Sequence, residues 1–218
     1  MLDSHMQEFE AFVYNTNKNR IIKVEDNRFH VHNHVDLDFP WVINNTTKNA
    51  SSDVLLLQGD DDYQFPERAR ICYEAIENGA DVFSPSQLLC NEKEEVFYYR
   101  AQKPFDWEHH RTRTIGATLC FGAYRISTCP QWSPDINLLS DYAFVTECYL
   151  QNKKIVTSRL PLGLKTFIPG SRWHGKEDEL AKEKELLKKR YGCEDMFTRR
   201  DSRPLRKFKN ENTVHFTL

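Results

Sequence analysis

The sequence predicts an α/β fold: one domain with a mostly parallel central sheet flanked by helices, followed by a charged C-terminal helix and a basic tail. Three observations carry this. Apolar runs of strand length alternate with amphipathic runs of helix length, the order that builds a parallel sheet through right-handed crossovers. The most strand-like run, Val54-Leu55-Leu56-Leu57, ends in Asp60-Asp61-Asp62, and ligands of α/β sheets bind outside the carboxyl ends of strands. The length, 218 residues, suits one good-sized core.

Taken in order, residues 9–14 (FEAFVY) read as a first strand, ended by the polar run Asn15-Thr16-Asn17-Lys18-Asn19. A second strand spans 28–35. Pro40 opens a helix over 41–49, because proline suits a first helical turn. Residues 53–58 are the buried strand and Gly59-Asp60-Asp61-Asp62 the loop beyond it. Pro66 opens a helix over 67–78, with Ala69, Cys72, Tyr73 and Ile76 at helical spacing. Gly79 is its natural stop. Strands follow at 80–84 and 95–100. Residues 103–113 read as an irregular basic-aromatic stretch, 115–126 as a long apolar strand region, 140–151 as a helix and 154–158 as a short strand. Residues 176–190 form a highly charged helix, read as a solvated face with an apolar edge of Leu180, Leu187 and Tyr191.

Composition bounds the function. The net charge of −2 argues against nucleic acid as a partner. No apolar run approaches the roughly 18 residues of a membrane span. Residues 1–5 read as an expression scar, with the native start at Met6 and no signal peptide. The six cysteines include no C-x-x-C pair. Reduced thiols in a cytoplasmic protein are the expectation, rather than zinc ligation or a disulfide framework. Neither a Walker loop nor G-x-G-x-x-G is present.

Three adjacent carboxylates repel and raise each other's pKa. A hard divalent cation relieves the conflict, since Mg²⁺ or Mn²⁺ prefers carboxylate oxygen. Asp60 and Asp62 are the metal candidates; which aspartate is the direct ligand stays open, and a solvated acidic turn is the alternative. His30, His32 and His34 alternate on one strand face, which reads as a hydrated face rather than a metal site. Phe105, Trp107, His109, His110, Arg111 and Arg113 make up the basic-aromatic stretch. Aromatic faces stack on sugars, so Trp107, His109 and Arg111 are candidates for acceptor recognition. Single-stranded nucleic acid is a second ligand for such a pattern.

Residues 41–66, WVINNTTKNASSDVLLLQGDDDYQFP, resemble the centre of GT-A glycosyltransferases of the family-2 type. There a helix carrying an Asn leads into a hydrophobic strand, a D-x-D cluster and a proline; here Asn45 stands fifteen residues before Asp60. The stretches GATLCFGAYRIS and LLSDYAFVTECYLQNKKIVTSRLPL resemble the acceptor half. The likeness covers roughly residues 9–175. Within the family the sequence is most similar to small N-terminal glycosyltransferase domains of large chlorovirus proteins that build glycans on the major capsid protein. The chain departs from the pattern at Asn44, where the family often carries Arg. It departs also between Tyr14 and Arg28, where thirteen residues leave little room for a crossover helix.

The resemblance implies a catalytic domain over 6–175, with 176–218 packing on it or linking to more of a longer polypeptide. It implies a UDP-sugar donor, Mn²⁺ or Mg²⁺, a glycan or glycoprotein acceptor, and transfer of a hexose such as rhamnose or glucose in the host cytoplasm. Asp141, the acidic residue opening a helix, matches the general base of an inverting transfer; Asp135 and Glu147 are the substitutes. His174, between Gly170 and Gly175, matches a late metal-completing histidine. Arg172 is assigned to the diphosphate. Tyr14, Asn15, Thr16 and Arg20 match the uracil and ribose contacts, Asn45 and Lys48 face the diphosphate, and Asp61 contacts the sugar or ribose. Three alternatives stand beside this reading. A nucleotidyltransferase would share the strand-Asp chemistry, but a glycine-rich loop is missing after the first strand. A sugar- or nucleic-acid-binding module would lack turnover, and a glycosyltransferase acting on DNA bases would meet the charge objection.

Overall fold

The computed structural model describes residues 9–36, 38–59, 62–91, 93, 95–112, 117–166 and 175–193. Strand β1 (Ala11–Asn15) pairs in parallel with β2 (Phe29–Asn33) as a two-stranded sheet. The link between them, residues 16–28, holds no helix. Helix α1 (Phe39–Asn49) follows; Asp38 caps it by accepting the Trp41 amide at 3.0 Å, and Pro40 sits in the first turn. The next strands are β3 (Val54–Leu56) and β4 (Tyr63–Gln64), then helix α2 (Arg68–Glu77), which stops at Gly79 with φ +88°. The chain continues through β5 (Val82–Cys90), β6 (Val96–Arg100), helix α3 (Trp107–Thr112), β7 (Ala123–Arg125), helix α4 (Ser140–Leu150), β8 (Ile155–Thr166) and helix α5 (Glu177–Tyr191).

The larger sheet runs β3-β7-β5-β8-β4, with β6 also on β5. It is mixed, which corrects the expectation of a mostly parallel sheet. Only β5–β8 is parallel; β3–β7, β5–β7, β5–β6 and β4–β8 are antiparallel. The physical reason is that β6 returns directly from β5 as a hairpin, and β4 crosses to the far edge without a helix. Antiparallel neighbours need no crossover.

Alternation along the strands builds two cores. Val82, Tyr124, Leu55 and Leu57 face α1 and α4, where Ile43, Phe144, Val145 and Trp132 join them. Their neighbours Phe83, Ala123, Val54 and Leu56 face α2, where Cys72 and Ile76 join them. A third cluster packs Leu187 and Cys193 against Ile136, Leu139, Tyr142 and Ala143. Thus α5 lies on α4 and its charged face is not wholly solvated: Glu183 is buried.

Three segments differ from their expected form. Residues 107–112 are helical because Asp106 accepts the His109 amide at 2.7 Å and Glu108 pairs with Arg111 across one turn. Of the long strand expected over 115–126, only Ala123–Arg125 is strand among the described residues. Phe121 takes φ 63°, and a Cβ at Gly122 would meet the Phe83 carbonyl at 2.4 Å, so the chain turns there instead. Finally, β8 runs on to Thr166 because it follows β5 along most of its length.

Candidate functional site

Two clusters lie at carboxyl ends of strands. The first closes β1. Tyr14 Oη accepts from Asn45 Nδ2 at 3.0 Å and lies 3.1 Å from the Thr46 hydroxyl, which joins β1 to α1. The Tyr14 ring stacks on His32, centroids 4.7 Å apart, and meets the edge of Trp41 at 6.2 Å. Trp41 remains 48% exposed. Buried Asn15 donates to the Arg20 carbonyl at 2.6 Å and to Asn33 Oδ1 at 2.8 Å. Asn33 in turn binds both the amide and the carbonyl of Ile22. These two asparagines hold the link 16–28 in place of the missing crossover helix. The structure therefore brings Tyr14 and Asn45 together, makes Asn15 a loop clamp, and leaves Thr16 and the Arg20 side chain exposed. His30 stacks on Phe12 as His32 does on Tyr14, while His34 turns off the strand with φ 61°.

The second cluster holds the loop after β3. Asp60 and Asp61 lie outside the described residues; Asp62 lies inside them. Its carboxylate is 2% exposed and engaged at both oxygens. Oδ1 accepts the Thr166 amide of β8 at 3.1 Å. Oδ2 stands 3.6 Å from Lys165 Nζ and accepts from Cys120 Sγ at 3.5 Å. The Lys165 ammonium also donates to Cys120 Sγ at 3.3 Å. Burial pushes the Cys120 thiol up to about 11, so it stays neutral here. Gln58 Nε2 bridges the carbonyls of Gly59 and Asp62 at 2.8 and 2.7 Å.

Behind the loop lies Arg68, a residue the sequence reading passed over. It is 1% exposed and donates to Gln58 Oε1, Gln64 Oε1 and the carbonyls of Leu57 and Phe121 at 2.5–3.0 Å. A planar guanidinium with five donors can tie four such acceptors; an ammonium cannot. A signal for it exists in the sequence: a cation in the first turn of a helix opposes the helix dipole and needs another reason to be there.

The carboxylates offered as bases separate by environment. Asp141 lies half-buried in the first turn of α4 and accepts the Tyr142 amide at 2.8 Å. Asp135 is bound by Arg190 of α5, whose hydrogen bonds hold its carboxyl below the usual range. Glu147 accepts the Tyr191 hydroxyl at 2.5 Å. Three consecutive amides, Asn137, Leu138 and Leu139, donate to Glu183 at 2.8–3.0 Å and so fix the approach to α4 from α5. Glu183 is a positioning residue that reading a charge run cannot distinguish from its solvated neighbours.

Of the acceptor candidates, Trp107 lies flat on Tyr149, centroids 4.5 Å and planes 10° apart, and Arg111 pairs with Glu108. The His109 amide is capped by Asp106. His110 is buried beneath them, stacked on Tyr142 at 4.1 Å with Nε2 3.0 Å from the Thr146 hydroxyl. Burial pushes its pKa down to about 3. Lys48 sits in the last turn of α1. His174, Arg172 and Arg113 lie outside the described residues. Among the described residues no group of three or more His, Cys, Asp or Glu converges as a metal cage. No described helix is long and apolar enough to cross a membrane.

No protein-family description and no curated protein sequence matches the chain. Its fold is similar to that of S. aureus TarS 1–349, solved in complex with UDP-GlcNAc, with TM-score 0.57 and 16% identity. The alignment covers 86% of this chain and 58% of the TarS chain, so this chain spans less than two thirds of that structure. At 16% identity the likeness is one of fold alone.

Proposed function

We propose that this chain is a glycosyltransferase that moves a sugar from a UDP-sugar to a hydroxyl of a glycan acceptor. The observation that carries the reading is the shared fold with an enzyme bound to UDP-GlcNAc. The clusters at the ends of β1 and β3 support it, because α/β sheets bind ligands outside the carboxyl ends of their strands.

In this reading the Tyr14, Asn45 and Trp41 surface receives the nucleoside. The loop after β3 receives the diphosphate with a divalent cation, held by Asp60 and Asp62 and completed by His174, with Arg172 on the phosphates. Asp62 fits such a role in charge and place. A carboxylate has about four acceptor positions, and a cation reaching Oδ2 takes the place Lys165 now holds. Bound there, Mn²⁺ or Mg²⁺ supplies Lewis-acid stabilisation of the departing diphosphate. Asp141 accepts the proton of the acceptor hydroxyl as its oxygen attacks the anomeric carbon, with inversion. Asp135 and Glu147 remain the substitutes, with Arg190 and the Tyr191 hydroxyl bound to them. The sugar is rhamnose or glucose and the acceptor a viral capsid glycan in the finer form of this reading, which rests on the sequence resemblance alone.

Calorimetric titration of UDP with and without Mn²⁺, against GDP and CMP, tests the proposal. Binding selective for UDP and strengthened by Mn²⁺ is expected. Absence of nucleotide binding under any divalent metal overturns it and favours a module without turnover.

A further inference from the structure

Gln87, on β5, is 1% exposed, and neither polar atom of its side-chain amide has a hydrogen-bond partner among the described residues. An amide buried unpaired is costly, and a native fold that keeps one needs a reason for it. Strand register shows what surrounds it. Gln87 pairs with Arg100 of β6 and Leu89 with Tyr98, so these four side chains share one face of the sheet. On the other side of β5, Leu88 pairs with Leu164, which sets Gly163 beside Gln87. Gly163 has no side chain, and a Cβ there would meet the Phe121 ring at 2.4 Å. From β8, then, no polar side chain reaches the amide, and Arg100 is its polar neighbour on this face.

Arg100 is half-buried, and no carboxylate of the described residues pairs with its guanidinium. It does not bond to the Gln87 amide either. A guanidinium is a planar fork of donors matched to a carboxylate or a phosphate. Tyr98, two residues along β6 and 40% exposed, adds an aromatic ring on the same face. The group lies toward the carboxyl ends of β5 and β8, the end at which the Thr166 amide holds Asp62. Arg100 is two strands from Lys165, roughly 10 Å across the sheet. An anion on Arg100 is therefore a different group from a diphosphate beside Asp62.

We propose that Arg100, Gln87 and Tyr98 form a subsite for an anionic glycan acceptor. Arg100 binds a carboxylate or phosphate carried by that acceptor. Gln87, at the floor, gives its amide to a neighbouring hydroxyl, which is donor and acceptor at once and so suits both amide atoms. The Tyr98 ring lies against the acceptor's apolar face. Arg100 has no described bond that would resist its turning toward the anion. The inference rests on the glycosyltransferase reading above and narrows its acceptor class. It involves no metal and no covalent step.

Paired ligands that differ in charge test it by NMR titration of the full chain without divalent metal. Methyl glucuronide against methyl glucoside is the carboxylate arm; glycerol phosphate against glycerol is the phosphate arm. At least one arm is expected to favour the anion by about tenfold, as a charge-assisted hydrogen bond would. Arg100→Gln is expected to erase that preference and to leave UDP affinity, measured with Mn²⁺, unchanged. Gln87→Leu is expected to weaken the favoured anion about threefold while the unfolding temperature holds or rises, because an apolar side chain removes an unpaired amide. A fall in unfolding temperature with unchanged anion affinity would make Gln87 structural and overturn its place in the subsite. Absence of an anion preference in both arms overturns the inference, as does a preference that survives Arg100→Gln. A UDP affinity that falls in Arg100→Gln also overturns it, by giving Arg100 to the donor. Failure of the unsubstituted protein to bind UDP overturns the transferase reading instead; an anion preference in that same protein still supports the subsite.

Discussion

His110 shows what burial does to a single residue. Free imidazole titrates near 6.5, while in the fold its pKa falls to about 3. The unfolded chain therefore takes up a proton that the folded chain refuses, throughout the interval between those values. Stability from this residue is full above pH 6.5 and is lost as pH falls, by up to ~1.4 kcal/mol per pH unit. Thermal unfolding at pH 7, 6 and 5 should show that decline, and His110→Phe, which cannot titrate, should flatten it even if it is less stable throughout. A slope unaltered by the substitution would place the acid sensitivity elsewhere. The basic-aromatic composition of residues 103–113 marks this segment in the sequence, yet gives no means of telling the buried histidine from the one beside it. That distinction depends on Tyr142 and Thr146, more than thirty residues away.

Whole elements were legible wherever local chemistry decides them. Proline announces α1, and the helical spacing of Ala69, Cys72, Tyr73 and Ile76 with a terminal glycine announces α2. What escaped depends on partners distant in sequence. The pairing direction of β4, β6 and β7 is set by edges the strands find after folding. Arg68 acquires its role from carbonyls on Leu57 and Phe121. Glu183 acquires its role in the same way, from three amides some 45 residues upstream. This last contact joins two elements, α5 and the N-terminus of α4, and so positions Asp141. Glu183→Ala leaves three amides without their acceptor, and a buried unsatisfied donor costs about 1–3 kcal/mol. In the donor reading the expected result is a lowered unfolding temperature, a reduced kcat for sugar transfer, and unchanged affinity for UDP, since the freed amides lie on the approach to α4 and not on β1 or β3. Loss of UDP binding together with transfer would mean that α5 supports the whole domain and has no selective hold on α4.

At the scale of the molecule the donor reading joins two sheets of unequal strength. The six-stranded sheet is covered by α1 and α4 on one face and α2 on the other. Among the described residues the β1–β2 pair has two strands, and a two-stranded ribbon is marginal alone. It is held to the body by side-chain bonds of Tyr14 to α1 and of Glu10 to Ser51. Regions with few such ties open locally at less than the global unfolding cost. A nucleotide that touches Tyr14 at one end and the loop after β3 at the other would tie the small sheet to the large one. Hydrogen exchange should then find the amides of 11–15 and 29–33 exchanging well ahead of those of 82–89, and UDP with Mn²⁺ should slow the first group toward the second. Slowing confined to the loop after β3 would place the nucleoside away from Tyr14 while leaving the diphosphate assignment intact. Equal exchange in both sheets before ligand is added would show that the side-chain ties already make one cooperative unit of the fold.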